Sequence, residues 1–394
     1  MAAAEHPDFP DWAVALGEEG SDPIVHHAGR DVRVDQYASS DHLGRQDDDL
    51  AAVAGLGLRV WRYGMPWRLT EPEPGRYDWT WWDRALAACE RHRLTPVIDL
   101  CHFGLPDHLP GGFGDPAWVD GFARYVEAFL ARYPEPRWFT PVNEPFITAY
   151  NSALIGIWNE RQSSAEAFGR ALVNVTAANL AAIHRIRADR NGWWIGAEGF
   201  AVPHGPDSAA ADVVATRELT QAVWDLHFGL DPRPAAAAVL DTVPDALRAR
   251  VEPLDDRHHV VCGHDFYPVS VITLGGAPEP GLDARLDLYA AEAAAWHTRY
   301  EAPFWVAETS NLSLPVDQQV PWLDGLVARL GRMRRDGLPV RGICWYSRGD
   351  QYDWQTSLAE PVGAVTEVGL FDAARRPRPS AAAYARLARR PAPG

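Results

Sequence analysis

Hydrophobic and polar residues follow one another along this chain in two alternating patterns. Short, almost wholly apolar runs have the length and composition of buried β-strands. They are separated by longer segments in which apolar residues recur at the three- to four-residue spacing of an amphipathic helix. Eight strands are predicted, over residues 12–16, 58–63, 95–101, 138–143, 193–198, 259–264, 304–308 and 342–345.

Helical patterns follow most of these strands. Buried strands that alternate with helices require a parallel sheet, and eight such units favour closure of the sheet into a barrel. Neither a linker nor an internal repeat interrupts the pattern. We therefore expect an α/β fold in which residues 1–394 form a single domain, one (β/α)8 TIM barrel. The predicted helices span residues 47–57, 79–92, 116–133, 164–190, 212–226 and 380–389.

Composition and charge narrow the classes of function. Hydrophobic residues make up 47% of the 394 positions and charged residues 23%, so the chain can bury a large core. The formal net charge of −16 argues against a nucleic acid or an anionic membrane as partner. All 37 basic residues are arginines. The chain therefore lacks the lysine that Schiff-base and P-loop chemistry require.

The cysteines and the first residues of the chain indicate an ordinary intracellular protein. The four cysteines have no metal-binding or redox spacing, so we expect small core residues rather than ligands or disulfides. The N-terminus has neither the basic nor the apolar region of a signal peptide, and no run of eighteen apolar residues follows. We expect a soluble, cytoplasmic protein that binds no membrane.

The strongest candidate for chemistry is the stretch Pro141-Val-Asn-Glu-Pro145 at the end of the fourth predicted strand. Asn143 and Glu144 would lie where a barrel enzyme keeps its active site, at the C-terminal mouth of the strands. A single glutamate there is as easily an ordinary loop residue. A second carboxylate, Glu308, ends the seventh strand in the same way, and this makes a catalytic pair the better interpretation.

Two carboxylates on opposite strands of a barrel suit the hydrolysis of glycosides. One protonates the leaving oxygen while the other attacks the anomeric carbon, and a retaining pair lies about 5–5.5 Å apart. Burial would keep Glu144 protonated, whereas Arg62 and Tyr267 would favour the ionised form of Glu308. Other polar or aromatic residues at predicted strand ends are His102, Asp265 and Trp345.

Several segments resemble glycoside hydrolase family 1, the β-glucosidase family, in collinear order. The similarity implies a (β/α)8 barrel with Glu144 as acid/base, Glu308 as nucleophile and Asn143 in contact with the sugar. The segments that carry it are Arg62-Tyr-Gly-Met-Pro-Trp-Arg68, Cys101-His-Phe-Gly-Leu-Pro-Asp-His-Leu109, Trp138-Phe-Thr-Pro-Val-Asn-Glu-Pro145, Asp265-Phe-Tyr267 and Phe304-Trp-Val-Ala-Glu308. Residues Trp345 to Trp354 resemble the family's Trp-Ser-Leu-Leu-Asp-Asn-Phe-Glu-Trp stretch, with one residue inserted.

Some sugar-contacting positions depart from the family pattern. Gly17 stands where the family has a sugar-binding Gln, and Phe103 replaces a Trp. Asp353 replaces a Glu and Asp265 an Asn, while Trp354 matches the family's Trp. A site built to hydrogen-bond a hydroxyl discriminates strongly against a mismatched group. The resemblance therefore implies a β-glycosidase with an altered glycone preference, for which plain β-glucosides are poor substrates.

Three other interpretations remain open from the sequence. The same pair of glutamates could serve a transglycosylase, and the fold could be a non-hydrolytic barrel that binds a sugar or a partner. A metal hydrolase is less favoured, because no His-x-His pair ends the first strand and no lysine could be carboxylated. We expect no metal and no cofactor, and a small-molecule glycoside as the partner.

Overall fold

The computed structural model describes residues 8–393, and its centre is a closed barrel of eight parallel strands. The predicted barrel is confirmed, and every predicted strand is present. We number the barrel strands β1 to β8 in chain order; each pairs with its neighbours in sequence and β8 pairs with β1. They are Ala13–Gly17, Val60–Gly64, Thr95–Asp99, Trp138–Thr140, Trp193–Ile195, Val260–Asp265, Phe304–Thr309 and Val340–Tyr346.

Helices surround the barrel, and the predicted ones are present within a few residues of their expected bounds. The first begins at Gln46, so Asp47 lies in its first turn, where its charge stabilises the helix dipole, and is not the cap. The large helices are Gln46–Gly55, Thr80–His92, Ala117–Arg132, Ala165–Arg190, Ala210–Thr220, Ala222–Phe228, Leu282–Tyr300, Gln319–Arg335 and Pro379–Ala388.

The helix predicted over 212–226 is two helices. Gln221 separates them with φ −94° and ψ 1°, outside the helical region. Its side chain donates to Glu292 at 3.1 Å and accepts from Arg233 at 2.7 Å, so long-range hydrogen bonds hold this turn. The helices Leu282–Tyr300 and Gln319–Arg335 were not predicted; they supply the outer layer behind β6 and β7.

Shorter elements decorate the barrel and shape its loops. Pairs of short strands form three two-stranded sheets outside the barrel. These are Ile24–His27 with Arg30–Arg33, Val202–His204 with Val271–Thr273, and Gln351–Tyr352 with Val365–Thr366. The short helices are Gln36–Ser39, Trp67–Thr70, Pro145–Ala149, Pro234–Leu240 and Asp245–Arg248, with a π-helical turn at Tyr150–Leu154.

The two ends of the barrel interior differ in chemistry. At the N-terminal ends of the strands, Phe9 packs edge-on against Trp138 and Trp305, with ring centroids 5.2 and 5.5 Å apart. Small buried residues such as Ala13 and Ala15 complete this apolar cluster. Polar side chains fill the other end, so the barrel presents its chemistry at the C-terminal mouth.

The cysteines agree with the expectation from the sequence. All four cysteines are buried and free, as predicted. Within residues 8–393, no helix is long and apolar enough to cross a membrane.

Candidate active site

Glu144 lies one residue before the short helix Pro145–Ala149, just past the end of β4. Its backbone is left-handed, with φ 39° and ψ 67°, a conformation that is strained for a residue with a side chain. Two hydrogen bonds hold the segment, from the Asn143 amide to Cys101 O at 2.9 Å and from the Glu144 amide to Ala197 O at 3.1 Å. The neighbouring strands thus fix the direction of the Glu144 side chain.

Glu308 projects from β7 and accepts hydrogen bonds at both of its oxygens. Arg62, on β2, donates to one oxygen, and the Tyr267 hydroxyl donates to the other at 2.7 Å. Both Glu308 and Arg62 are buried, 4% and 1% exposed. A guanidinium and a hydroxyl thus hold the two oxygens of Glu308 in place.

Arg62 connects Glu308 to a second set of polar residues. It also donates to Asp99 at 2.7 Å and to the side-chain oxygen of Asn143. Asp99 in turn lies 2.8 Å from Nδ1 of His102. Burial lowers the pKa of His102, but the charge and hydrogen bond of Asp99 outweigh this effect and raise it. Arg62, Asn143 and His102 are therefore brought together as expected.

Asp265, at the end of β6, faces both glutamates. One oxygen each of Glu144, Asp265 and Glu308 lies within 4.8 Å of the other two. Burial, followed by the charge of Glu308, raises the pKa of Glu144 well above its usual range. Burial raises the pKa of Asp265 in the same way, with Glu308 and Glu144 adding to the effect.

A cavity of about 660 Å³ opens onto this cluster. Its volume is that of a small-molecule site. Of the residues expected at the site, Arg62 and Asn143 lie behind the cavity wall, since their side chains are buried in the polar network. Those that line the cavity are His102, Phe103, Glu144, Asp265, Tyr267, Glu308 and Trp354.

Trp345 does not lie at the site, contrary to the sequence-based expectation. It points away from the barrel axis, and its indole N–H donates to Val368 O at 2.9 Å. The next residue, Tyr346, takes the inward position, because side chains alternate along a strand. Its ring is parallel to that of His102 at 5.9 Å and lies 5.4 Å from the Arg62 guanidinium. Aligned from Tyr346, the segment matches the family stretch without an insertion.

Tyr346 also explains the glycine at position 17. A Cβ atom on Gly17 would lie only 2.3 Å from Cδ2 of Tyr346. The Tyr346 ring therefore occupies the space that a longer side chain at position 17 would need. Its hydroxyl donates to Glu18 O at 2.7 Å, which fixes the ring in place.

Asp353 does not line the cavity either. Its backbone has φ 59°, and its carboxylate accepts from the amides of Gly363 at 3.0 Å and Ala364 at 2.7 Å. The side chain thus closes a loop. Trp354 does line the cavity, and within residues 8–393 its buried indole N–H has no hydrogen-bond partner.

Three further residues at the site carried no assigned role in the sequence analysis. Glu19 lines the cavity, where it accepts from the Ser21 amide at 2.8 Å, and burial raises its pKa. Glu198 lies behind Glu144, and burial raises its pKa to about 8. Tyr346 is the third. Two of them had a sequence signal, because Glu198 ends the fifth predicted strand and Glu19 adjoins the segment in which the family's Gln is missing.

The sequence is similar to that of one known protein family. The model of the glycosyl hydrolase family 1 matches residues 17–233. A β-glucosidase A of Thermotoga maritima is 20% identical over 370 residues, which cover 82% of this chain and 81% of that protein. An aryl-phospho-β-D-glucosidase of Bacillus subtilis is 30% identical over 142 residues, covering 32% of this chain and only 30% of that protein.

A solved structure of a family 1 enzyme has the same fold as this chain. The structure of a family 1 β-glucosidase from Thermotoga maritima, in complex with isofagomine lactam, superposes with a TM-score of 0.80. It covers 97% of this chain and 98% of the other, at 18% sequence identity. The family model spans more than half of the chain. The chain belongs to glycosyl hydrolase family 1.

Proposed function

We propose that this protein is a retaining β-glycosidase in which Glu144 protonates the leaving oxygen and Glu308 attacks the anomeric carbon. The observation that carries the proposal is the approach of the two carboxyls, which have oxygens within 4.8 Å of one another. Retaining pairs lie about 5–5.5 Å apart, whereas inverting pairs leave room for a water molecule.

The different surroundings of the two glutamates support their separate roles. Glu308 accepts from Arg62 and Tyr267, so it is available as a nucleophile. Glu144 has a raised pKa from burial and from the nearby charge of Glu308, so it keeps a proton to give. When the environments of two carboxyls favour different protonation states, the protonated one usually acts as the acid and the ionised one as the nucleophile.

The charges of the residues that line the cavity support the binding of an uncharged sugar. Glu19, Glu144, Asp265 and Glu308 line the cavity, and the chain contains no lysine. Arg62 already binds three acceptors. A phosphorylated sugar, of the kind named for the Bacillus subtilis relative, would be repelled by this negative potential.

The side chains around the same pocket support a preference for a glycone other than plain glucose. Tyr346 fills the space beside Gly17, and the Asp353 carboxylate is bound to backbone amides. Neither position offers the side chain that the resemblance implied for the sugar. Glu19 remains as a hydrogen-bonding group in the cavity wall, which Trp354 also lines. We infer a glycone that lacks or repositions a hydroxyl far from the anomeric carbon.

The lining of the outer part of the cavity supports the binding of an apolar aglycone. Its walls come from the loops after β4, β5, β6 and β7 and from the helix Ala210–Thr220. An apolar surface of this kind binds an aryl or alkyl group by burial. The apolar residues that line it are Phe146, Ile147, Tyr150, Leu154, Phe200, Leu219, Val269, Ile272 and Leu312.

Trapping the intermediate tests the proposal directly. Incubation with a panel of 2-deoxy-2-fluoro aryl β-glycosides is expected to label Glu308, as seen by intact mass and peptide mapping. Products of an unlabelled substrate, followed by NMR, are expected to appear first as the β-anomer. Addition of an alcohol acceptor would reveal glycosyl transfer as a second product. Label on another residue, or an α-anomeric first product, would overturn the assignment.

A further inference from the structure

Asp265 and Glu144 form an unusual pair, because neither carboxyl receives a hydrogen bond from an ordinary donor. Asp265 is 1% exposed, and within residues 8–393 neither of its oxygens has an N–H or O–H partner. Glu144 is 8% exposed, and the nearby Phe146 N–H and Tyr267 O–H groups donate to Glu198 and Glu308 instead. One oxygen of each carboxyl instead lies within 4.8 Å of an oxygen of the other.

The surrounding charges cannot neutralise two ionised groups there. The charge of Arg62 acts on both carboxyls, but its hydrogen bonds go to Glu308, Asp99 and Asn143. Tyr267 donates to Glu308. Burying an unpaired carboxylate carries a large free-energy penalty. The charged or titratable groups that face Asp265 from the surrounding elements are Arg62, Glu144, Glu198, Tyr267, Tyr289 and Glu308.

We propose that Asp265 shares a proton with Glu144, so that the two carboxyls act as one proton-holding pair. Asp265 is then a positioning residue for the acid/base, a role that the family pattern gives to no carboxylate, since an asparagine stands there. Two buried carboxyls this close and without donors repel each other unless one is protonated, and only the protonated one can donate a hydrogen bond to the other. This inference rests on the proposed function, since it concerns the acid of that reaction.

The protons balance over the reaction. In the first step the pair gives one proton to the glycosidic oxygen, while the bond from that oxygen to the anomeric carbon breaks and a bond from Glu308 forms. In the second step water attacks the same carbon, the bond to Glu308 breaks, and the pair takes one proton from the water. No other reactant is needed, and the pair returns to its starting state.

Once the pair holds a single proton, like-charge repulsion opposes its loss, because both carboxyls would then be ionised. Burial and the charges of Glu308 and Glu198 raise the pKa of Glu144, and burial with the charges of Glu308 and Glu144 raises the pKa of Asp265. Glu144 must be protonated for the first step, so activity falls as the pH rises through its pKa. An asparagine at 265 would remove a negative charge and offer an amide N–H to ionised Glu144. Both changes lower the pKa of Glu144.

The pH profile of Asp265→Asn tests this. The alkaline limb of kcat/KM is expected to move to lower pH by about one pH unit or more, the size of coupling that makes two sites titrate together. Glu160→Gln is a matched control, because Glu160 is a partly buried carboxyl with a raised pKa that accepts only from the Phe113 and Gly114 amides. Its profile is expected to match the wild type. An unmoved alkaline limb in Asp265→Asn would overturn the proposal.

A second measurement does not depend on activity. With ¹³C-carboxyl-labelled aspartate, the Asp265 resonance, assigned by its loss in Asp265→Asn, is expected to titrate in two steps in the wild type. In Glu144→Gln it is expected to titrate in one. A single, unchanged step in both proteins would contradict proton sharing. If no glycoside is hydrolysed, the proposed function fails while this titration still decides whether the pair exists. A wild-type profile altered by EDTA would mean that a cation joins the carboxyls instead.

Discussion

Residues at the strand ends of the barrel mouth match the family's sequence pattern more closely than residues in the loops above them. At the strand ends, hydrogen bonds link Arg62, Asn143, Tyr267 and Glu308, and an oxygen of Glu144 lies within 4.8 Å of one of Glu308. In the loop after β8, by contrast, Asp353 binds the backbone of its own loop. The barrel fixes the direction of a side chain at a strand end, whereas a loop residue can turn away within two or three residues.

We therefore expect the proposed catalytic step to follow that of the family and the recognition of the sugar to differ from it. The groups that would handle protons and charge are held by hydrogen bonds from three or more strands. The groups that would contact remote hydroxyls lie on segments whose backbone can be rebuilt without disturbing the barrel. Substitutions on the two sides are therefore expected to have effects of different size and kind.

The largest effect is expected for Glu144→Ala with substrates that have poor leaving groups. General acid catalysis contributes about 10²- to 10⁴-fold, and it matters little when the leaving group is already a stable anion. Cleavage of alkyl β-glycosides is expected to fall by that factor, while the first step with nitrophenyl glycosides is spared. Azide is expected to restore turnover by attacking the intermediate in the vacated space. Equal losses on both substrates without rescue would place the acid elsewhere.

The next effect concerns the choice of sugar. Hydrolysis of nitrophenyl β-glucoside is expected to have a kcat/KM below about 10⁴ M⁻¹s⁻¹, the lower end for enzymes on their own substrates. Fucoside, xyloside, arabinoside and substituted glycosides compared in parallel are expected to include a better substrate. Glucoside 6-phosphate is expected to be the poorest, because of the carboxylates in the pocket. Efficient glucoside hydrolysis would show that the loops restore the ordinary contacts.

A smaller effect is expected for Tyr267→Phe. This change removes one donor to Glu308 but keeps the ring, and a hydrogen bond to a charged group is worth about 1.5–3 kcal/mol. A loss of about 10- to 100-fold in kcat/KM follows. Steady-state kinetics on an aryl glycoside, with circular dichroism to check folding, would measure it. Unchanged kinetics would mean that Arg62 alone suffices.

The smallest effect on activity is expected for Asp353→Asn. The amide keeps one acceptor but cannot accept from both Gly363 and Ala364, so about 1 kcal/mol of stability is lost. The melting temperature is expected to fall by about 1–2 °C with nearly unchanged kcat/KM. A large rise in KM instead would place Asp353 in contact with the sugar.

The hydrophobic pattern alone determined much of this protein. Eight apolar runs predicted the eight barrel strands, since a strand buried on both faces must be nearly continuous in apolar residues. The carboxylates at the ends of the fourth and seventh runs predicted Glu144 and Glu308 at one mouth, because parallel strands in a closed barrel place all their C-terminal ends together.

Only the tertiary structure decided which neighbour of a strand end faces inward. Trp345 and Tyr346 are both aromatic, and a shift of one residue exchanges the two faces of a strand. Likewise, the sequence could not tell that Asp353 would bind its own loop, or that Asp265 would meet Glu144 without a donor. These outcomes depend on contacts between segments far apart in the chain, which no local pattern encodes.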